Sequence, residues 1–225
     1  MNKNLKQIIK AVILEVHEEE FIRLGVSSEK TGLKTLRVFD FDDTLAKTNS
    51  KVGVTEYNKE TGEQIKPEYM ITPAQYATFK IDTAENNPKI EYKYDYREFT
   101  EVVDPKIIDW TFEILNKIVK KLRASEDIPA VILTARGHDA NKNIRAFLQT
   151  MNINIPVKTL NNSDPKLKSE WIKKTMLDRN IPHVEFFDDS RLNVDAVKEL
   201  NNDSDLIEMF KQNLRVRSRL VQHEK

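Results

Sequence analysis

The run Val38-Phe39-Asp40-Phe41-Asp42-Asp43-Thr44-Leu45 constrains this chain more than any other segment. Two apolar residues lead into an acidic turn, which reads as a buried strand stopping at a cluster of carboxylates. Asp40, Asp42 and Asp43 are crowded into one turn. Like charges so close repel one another, and burial adds to the cost by penalising the ionised form. A cation among the oxygens relieves that repulsion. Mg²⁺ favours sites built from one or two carboxylates and completed by water and phosphate oxygens. The segment therefore points to a strand end that gathers a metal and a phosphate.

The chain around this strand reads as α/β. Thr35–Phe41 is a short apolar run closed by acidic turn residues, as expected of a parallel strand buried on both faces. From Asp104-Pro105 onward a regular alternation sets in. The pattern predicts a helix opening at Asp104 with Ile107, Ile108, Phe112, Leu115, Val119 and Leu122 on one face, a strand Ala130–Leu133, and a helix His138–Met151. A strand Val157–Leu160 follows, then a helix capped by Asp164-Pro165 and ended near Asn180, with Pro182 blocking its continuation. A strand Val184–Phe187, helices Asn193–Leu200 and Asp205–Asn213, and an edge strand Leu214–Val221 complete the series. Strands alternating with helices imply βαβ units and a parallel sheet flanked by helices, a Rossmann-like arrangement.

Two segments depart from this alternation. Residues 1–34 comprise an amphipathic helix, with Leu5, Ile8, Ile9, Val12, Ile13 and Val16 on one face and Gly25 placed to end it, and a polar connection. That face suits packing on the core or pairing with a second copy of the chain. Residues 46–103 read as an insertion after the first strand. Val52–Tyr57 and Glu63–Lys66 suggest a hairpin turning at Gly62, Thr72-Pro73 starts a short helix, and Tyr69, Tyr76, Phe79, Tyr92, Tyr94, Tyr96 and Phe99 crowd the region. A connection of this length within a compact domain is usually functional, and this one is placed to cover the end of the first strand. The predicted core is therefore 35–45 with 104–225, the insertion 46–103.

Composition narrows the chemistry. Thirty-six basic and 36 acidic residues cancel over the 225-residue chain, so net charge gives no drive toward nucleic acid or membrane. Without cysteine there is no disulfide, thiolate metal site or Cys nucleophile. No signal-peptide core or membrane-length apolar run is present, and the expectation is a soluble cytoplasmic protein with no membrane partner.

Ligands of such sheets bind at the carboxyl ends of the strands. Four predicted strand ends carry chemistry: Asp40, Asp42, Asp43 and Thr44; Thr134-Ala135-Arg136-Gly137; a helix start with Lys166 and Lys168; and Asp188-Asp189-Ser190. Carboxylates, a hydroxyl beside backbone N–H groups, a lysine and further carboxylates are the parts that phosphoryl transfer needs.

These four segments, in this order, resemble the haloacid dehalogenase superfamily of Asp-dependent phosphohydrolases. Asp-x-Asp-x-Thr falls at Asp40, Asp42 and Thr44, the apolar strand ending in Thr at Val131–Thr134, the lysine segment at Leu167–Ile172, and the acidic pair at Asp188-Asp189. The resemblance spans residues 36–200. It implies Asp40 as nucleophile, forming an aspartyl-phosphate, and Asp42 as the acid that protonates the leaving oxygen and then the base that activates water. It implies Mg²⁺ held by Asp40, the backbone carbonyl of Asp42, Asp188 and Asp189. Thr134, Ala135, Arg136 and Lys168 would bind the substrate phosphate, with Lys168 also balancing charge on the nucleophile. Lys168 is favoured over Lys166 by its Lys-x-Glu-Trp-Ile context. Asn193 is read as a supporting residue around these groups, and Arg136 is also read as one. Position 43, often Gly in the family, is Asp here and is read as structural.

Within that resemblance the order of motifs is similar to nucleotidases and to the 3′-phosphatase domain of polynucleotide kinases, so a nucleotide or a nucleic-acid end is the first expected substrate. No Gly-rich kinase loop is present. The competing expectation is a non-catalytic module, either receiver-like or the same fold kept for binding. In receiver domains the phosphoacceptor Asp follows a later strand than the acidic pair. Here Asp40 and Asp42 share one turn and the later strand ends in Thr134, which fits the hydrolase order.

Overall fold

A computed structural model describes residues 34–72, 75, 87–125 and 130–222. The amphipathic helix expected near the N-terminus and most of the helix expected after Thr72 lie outside these residues. The core is a five-stranded parallel sheet of β1 (Thr35–Phe39), β7 (Ala130–Thr134), β8 (Val157–Thr159), β9 (His183–Asp188) and β10 (Arg215–Leu220). Its order is β10-β9-β1-β7-β8. This is an α/β fold compatible with a Rossmann-like arrangement. No helix among the described residues is long and apolar enough to cross a membrane.

Alternation of side chains along the strands fills both faces. On one face Phe39, Ile132 and Phe187 meet Leu115 and Val119 of α2 (Asp109–Ser125) and Ile144 and Leu148 of α3 (Ala140–Thr150). Phe39 and Phe187 stack with ring centroids 4.6 Å apart, from strands paired residue for residue. On the other face Leu36, Val38, Val131, Leu133, Val184 and Phe186 meet three helices. These are α4 (Pro165–Arg179), through Ile172 and Met176, α5 (Arg191–Lys198), through Val194 and Val197, and α6 (Ser204–Phe210), through Leu206 and Phe210. Short 3₁₀ turns follow α5 and α6. Burial on both faces explains why β7, Ala-Val-Ile-Leu-Thr, is buried at every position.

The path of the chain puts one crevice at the centre. After β1 it builds β7 and β8 on one side, then returns to β9 and β10 on the other. The carboxyl end of β1 therefore lies where the winding reverses, the place at which open α/β sheets bind ligands.

The insertion forms its own antiparallel sheet, β4-β3-β5, from β3 (Val52–Asn58), β4 (Gln64–Ile71) and β5 (Ile90–Asp95). Gly62 turns the β3–β4 hairpin at φ +73°, a conformation that a side chain would strain. Val52, Val54 and Ile71 make a small core with Tyr69, Tyr92, Tyr94 and Phe99. A one-turn helix, α1 (Arg97–Thr100), leads back toward the core.

One expected element begins later than the sequence suggested. Asp104-Pro105 does not open a helix: Asp104 sits at φ +43°, and Lys106–Ile107 (β6) pairs antiparallel with Ala46–Lys47 (β2) at the base of the insertion. The helix α2 starts at Asp109. Its entry is fixed by buried Thr111, whose hydroxyl bonds the carbonyls of Thr44 and Ile108. A backbone N–H spent on closing the insertion (Ile108 to the Leu45 carbonyl) outweighs the local start signal.

Candidate active site

Asp40 follows β1 directly. Its amide bonds the Phe187 carbonyl on β9 at 2.9 Å, so the sheet register itself places it beside Asp188. The carboxylates of Asp40, Asp188 and Asp189 offer oxygens that all lie within 4.8 Å of one another. Lys168, on the second turn of α4, reaches between them with Nζ 3.0 Å from Asp40 and 2.7 Å from Asp188. It is 3% exposed, whereas Lys166 is exposed and its amide serves the N-cap Asp164. Of the two lysines considered from the sequence, the structure brings Lys168 to the carboxylates.

The electrostatics follow from burial. Desolvation pushes the Asp40 carboxyl well above its ordinary value; Lys168 opposes this, while Asp188, Asp189 and Asp42 add to it. Asp189 is pushed up to about 7, first by burial and then by Asp188 and Asp43. Burial alone would strip Lys168 of its proton, yet Asp40 and Asp188 outweigh it and hold the ammonium charged. One cation thus faces three carboxylates. The surplus of hard oxygen donors, with carboxyls raised first by burial and then by one another, fits a divalent cation such as Mg²⁺.

Each member is held from behind. Asp188 is fully buried and accepts from Lys168, from the Ser190 amide at 2.8 Å and from the Asn193 amide group at both oxygens, 2.9 and 3.0 Å. Ser190 caps α5 in turn. Asp189 donates its amide to the Thr44 hydroxyl at 3.0 Å. This explains why a Thr closes the acidic turn of β1. Asp43 takes φ +51° there, so the turn reverses tightly and its amide reaches the Ala46 carbonyl.

Thr134 ends β7 next to β1, is 1% exposed, and accepts at its hydroxyl from the Arg136 amide at 3.2 Å. Ala135 between them is half-buried. Of the two places read for Arg136, the structure shows the supporting one and not a free fork for the substrate phosphate. Its guanidinium is buried and already met on every side. Nε and one Nη bond the two oxygens of Asp42, each at 2.7 Å. That Nη also donates to the Thr48 hydroxyl at 3.0 Å, and the other Nη serves the carbonyls of Phe99 and Glu101. Five N–H groups with that many protein acceptors leave no fork for a phosphate. This was not legible in the sequence because the acceptors are distant in the chain, two of them backbone carbonyls in the insertion. Asp42 accordingly turns its carboxylate to Arg136 and Thr48, apart from the trio of Asp40, Asp188 and Asp189. Asn193 stands behind the acidic pair, bonding both oxygens of Asp188.

No family model and no curated protein matches the sequence. Among solved structures the chain is similar to two crystal structures of the Legionella pneumophila effector Ceg4, one carrying an N-terminal TEV protease cleavage sequence and one an N-terminal yeast Hog1p sequence. The identities are 13% and 14% and the TM-scores 0.41 and 0.42, with 87% of this chain and 90% of the other covered in each case.

Proposed function

We propose that this chain is a Mg²⁺-dependent phosphomonoester hydrolase of the haloacid dehalogenase type, acting on a nucleotide or on the phosphorylated end of a nucleic acid. One observation carries the reading: a buried lysine bridges Asp40 and Asp188 at 3.0 and 2.7 Å, at the reversal of a parallel sheet, with Asp189 and Thr134 on the neighbouring strand ends. The substrate class rests on the motif order alone.

The chemistry follows from the side chains. An Asp40 oxygen attacks phosphorus as the bond to the leaving oxygen breaks, and Asp42 passes a proton to that oxygen so that an alcohol departs. Water then attacks the aspartyl-phosphate. Its proton goes to Asp42, the phosphorus–Asp40 bond breaks, and inorganic phosphate leaves with the enzyme restored. Lys168 offsets charge on Asp40 and on the incoming phosphate, and the Thr134 hydroxyl and the amide of Ala135 receive phosphate oxygens. Asp40, Asp188 and Asp189 would hold Mg²⁺, which screens the repulsion between phosphate and nucleophile.

The test is phosphate release from an aryl phosphate with Mg²⁺, then from nucleotides and 3′-phosphorylated oligonucleotides, for wild type and Asp40→Asn. The expected result is Mg²⁺-dependent release that falls at least about 1,000-fold in the variant, since removing a nucleophile disables both steps. The variant should fold with an unchanged circular dichroism spectrum. A folded wild type inert toward every substrate would sink the reading in favour of a binding module.

A further inference from the structure

We propose that Arg136 is a positioning residue that ties the aim of Asp42 to the seating of the insertion; this rests on the phosphohydrolase reading above. The guanidinium lies beneath the turn of β1 at 4% exposure, gripped between Phe41 and Phe99 with its centre 5.4 and 5.1 Å from their rings. One side of it grips both oxygens of Asp42. The guanidinium also grips both segments of the neck through which the insertion leaves and rejoins the core. The Nη that bonds Asp42 reaches Thr48 and Ser50 on the outgoing segment, at 3.0 and 3.4 Å, and the other Nη reaches the carbonyls of Phe99, in α1, and of Glu101 just after it on the returning segment. Thr48 closes the ring by donating to Asp42 at 3.1 Å.

The neck is fastened elsewhere too. The Asn49 amide bonds the Val103 carbonyl, the Asn49 side chain bonds Asp104, and Asn143 on α3 bonds the Thr100 carbonyl at 2.7 Å. Those contacts hold the neck to itself and to α3. Arg136 bonds Asp42 and both neck segments together. A planar fork fixes its partners in distance and in angle. Any shift of the neck therefore moves the carboxylate that must meet the leaving oxygen. A misplacement of about 1 Å is enough to cost on the order of 100-fold in a step that needs that geometry.

Such a role has a signature that loss of fold does not share. Proton donation matters in proportion to how poor the leaving group is, so disturbing Asp42 through Arg136 should select among substrates. The experiment measures kcat/KM for Arg136→Lys, and for Thr48→Val as a milder break of the same ring, across aryl phosphates of rising phenol pKa and one alkyl phosphate. Arg136→Lys keeps the charge and loses the fork. We expect a loss of about 100-fold on the alkyl phosphate and of less than about threefold on p-nitrophenyl phosphate, within the usual range for general acid catalysis. In Asp42→Asn the further change Arg136→Lys should add nothing, since both act at one step. Exchange of the Asn49 amide should quicken in Arg136→Lys while the amides of β1 stay protected. An equal loss on every substrate, or unchanged exchange at Asn49, would overturn the proposal and leave the phosphohydrolase reading standing. A wild type that hydrolyses none of the series would overturn both.

Discussion

Lys168 meets Asp40 and Asp188 at once, and the fate of its proton shows how the site is balanced. Burial disfavours the ammonium, but the two carboxylates more than restore it. Lys168→Met should then leave two buried carboxylates unpaired and destabilise the metal-free protein by about 3–5 kcal/mol, read by urea denaturation, with part of the loss recovered on adding Mg²⁺. Asp189 gives a second test, because its raised value makes stability depend on pH. The folded chain holds a proton on Asp189 up to about pH 7, whereas the unfolded chain releases it near the ordinary value of 3.8. Between those values the folded form binds more protons, so this contribution to stability is present at low pH and is lost as pH rises through about 7. The metal-free protein should show that decline in thermal midpoint. Asp40, which burial also raises, contributes in the same direction, so the decline should be shallower in Asp189→Asn; an undiminished decline in the variant would count against the assignment.

At the scale of elements, the insertion neck and the entry to α2 are one construction. β2 and β6 close the base, and the Thr111 hydroxyl ties the start of α2 to the Thr44 carbonyl in the acidic turn. Thr111→Val keeps the shape and leaves a buried carbonyl short of a donor, which should cost about 1–3 kcal/mol and appear as a lowered urea midpoint with an unchanged slope. The parallel strands and their ends were legible in the sequence because an apolar run that stops at Asp or Thr has one reading in a sheet buried on both faces. Asp40 and Asp188 end neighbouring strands for that reason, and Thr134 ends the strand on the other side of β1. The start of α2 was misjudged because Asp104-Pro105 carries a genuine helix-start signal that tertiary pairing overrides. β5 was hidden in a crowd of tyrosines, although Tyr92 and Tyr94 alternate with Glu91 and Lys93 as a strand should. The phosphate place read for Arg136 failed because no local pattern shows that carbonyls about 35 residues away will claim a guanidinium.

Across the whole molecule, the sheet is held together by pairings of distant segments. Arg37 on β1 bonds Glu185 on β9 at 3.0 Å across 148 positions, and every pair of neighbouring strands in the core sheet is parallel. The β3–β4 hairpin, in contrast, closes within a single short turn. Long loops must be closed before distant pairings reward the chain, so local hairpins form early and parallel sheets late. In refolding from urea, amides of β3 and β4 should gain protection from exchange before those of β1 and β9. Recovery of the proposed Mg²⁺ binding should keep pace with the later group; recovery alongside the hairpin would contradict this order. During synthesis, the ribosome releases Asp40 long before Lys168 and Asp188 exist to meet it. A growing chain therefore carries its acidic turn without the lysine and the second carboxylate that complete the candidate site until β9 pairs with β1.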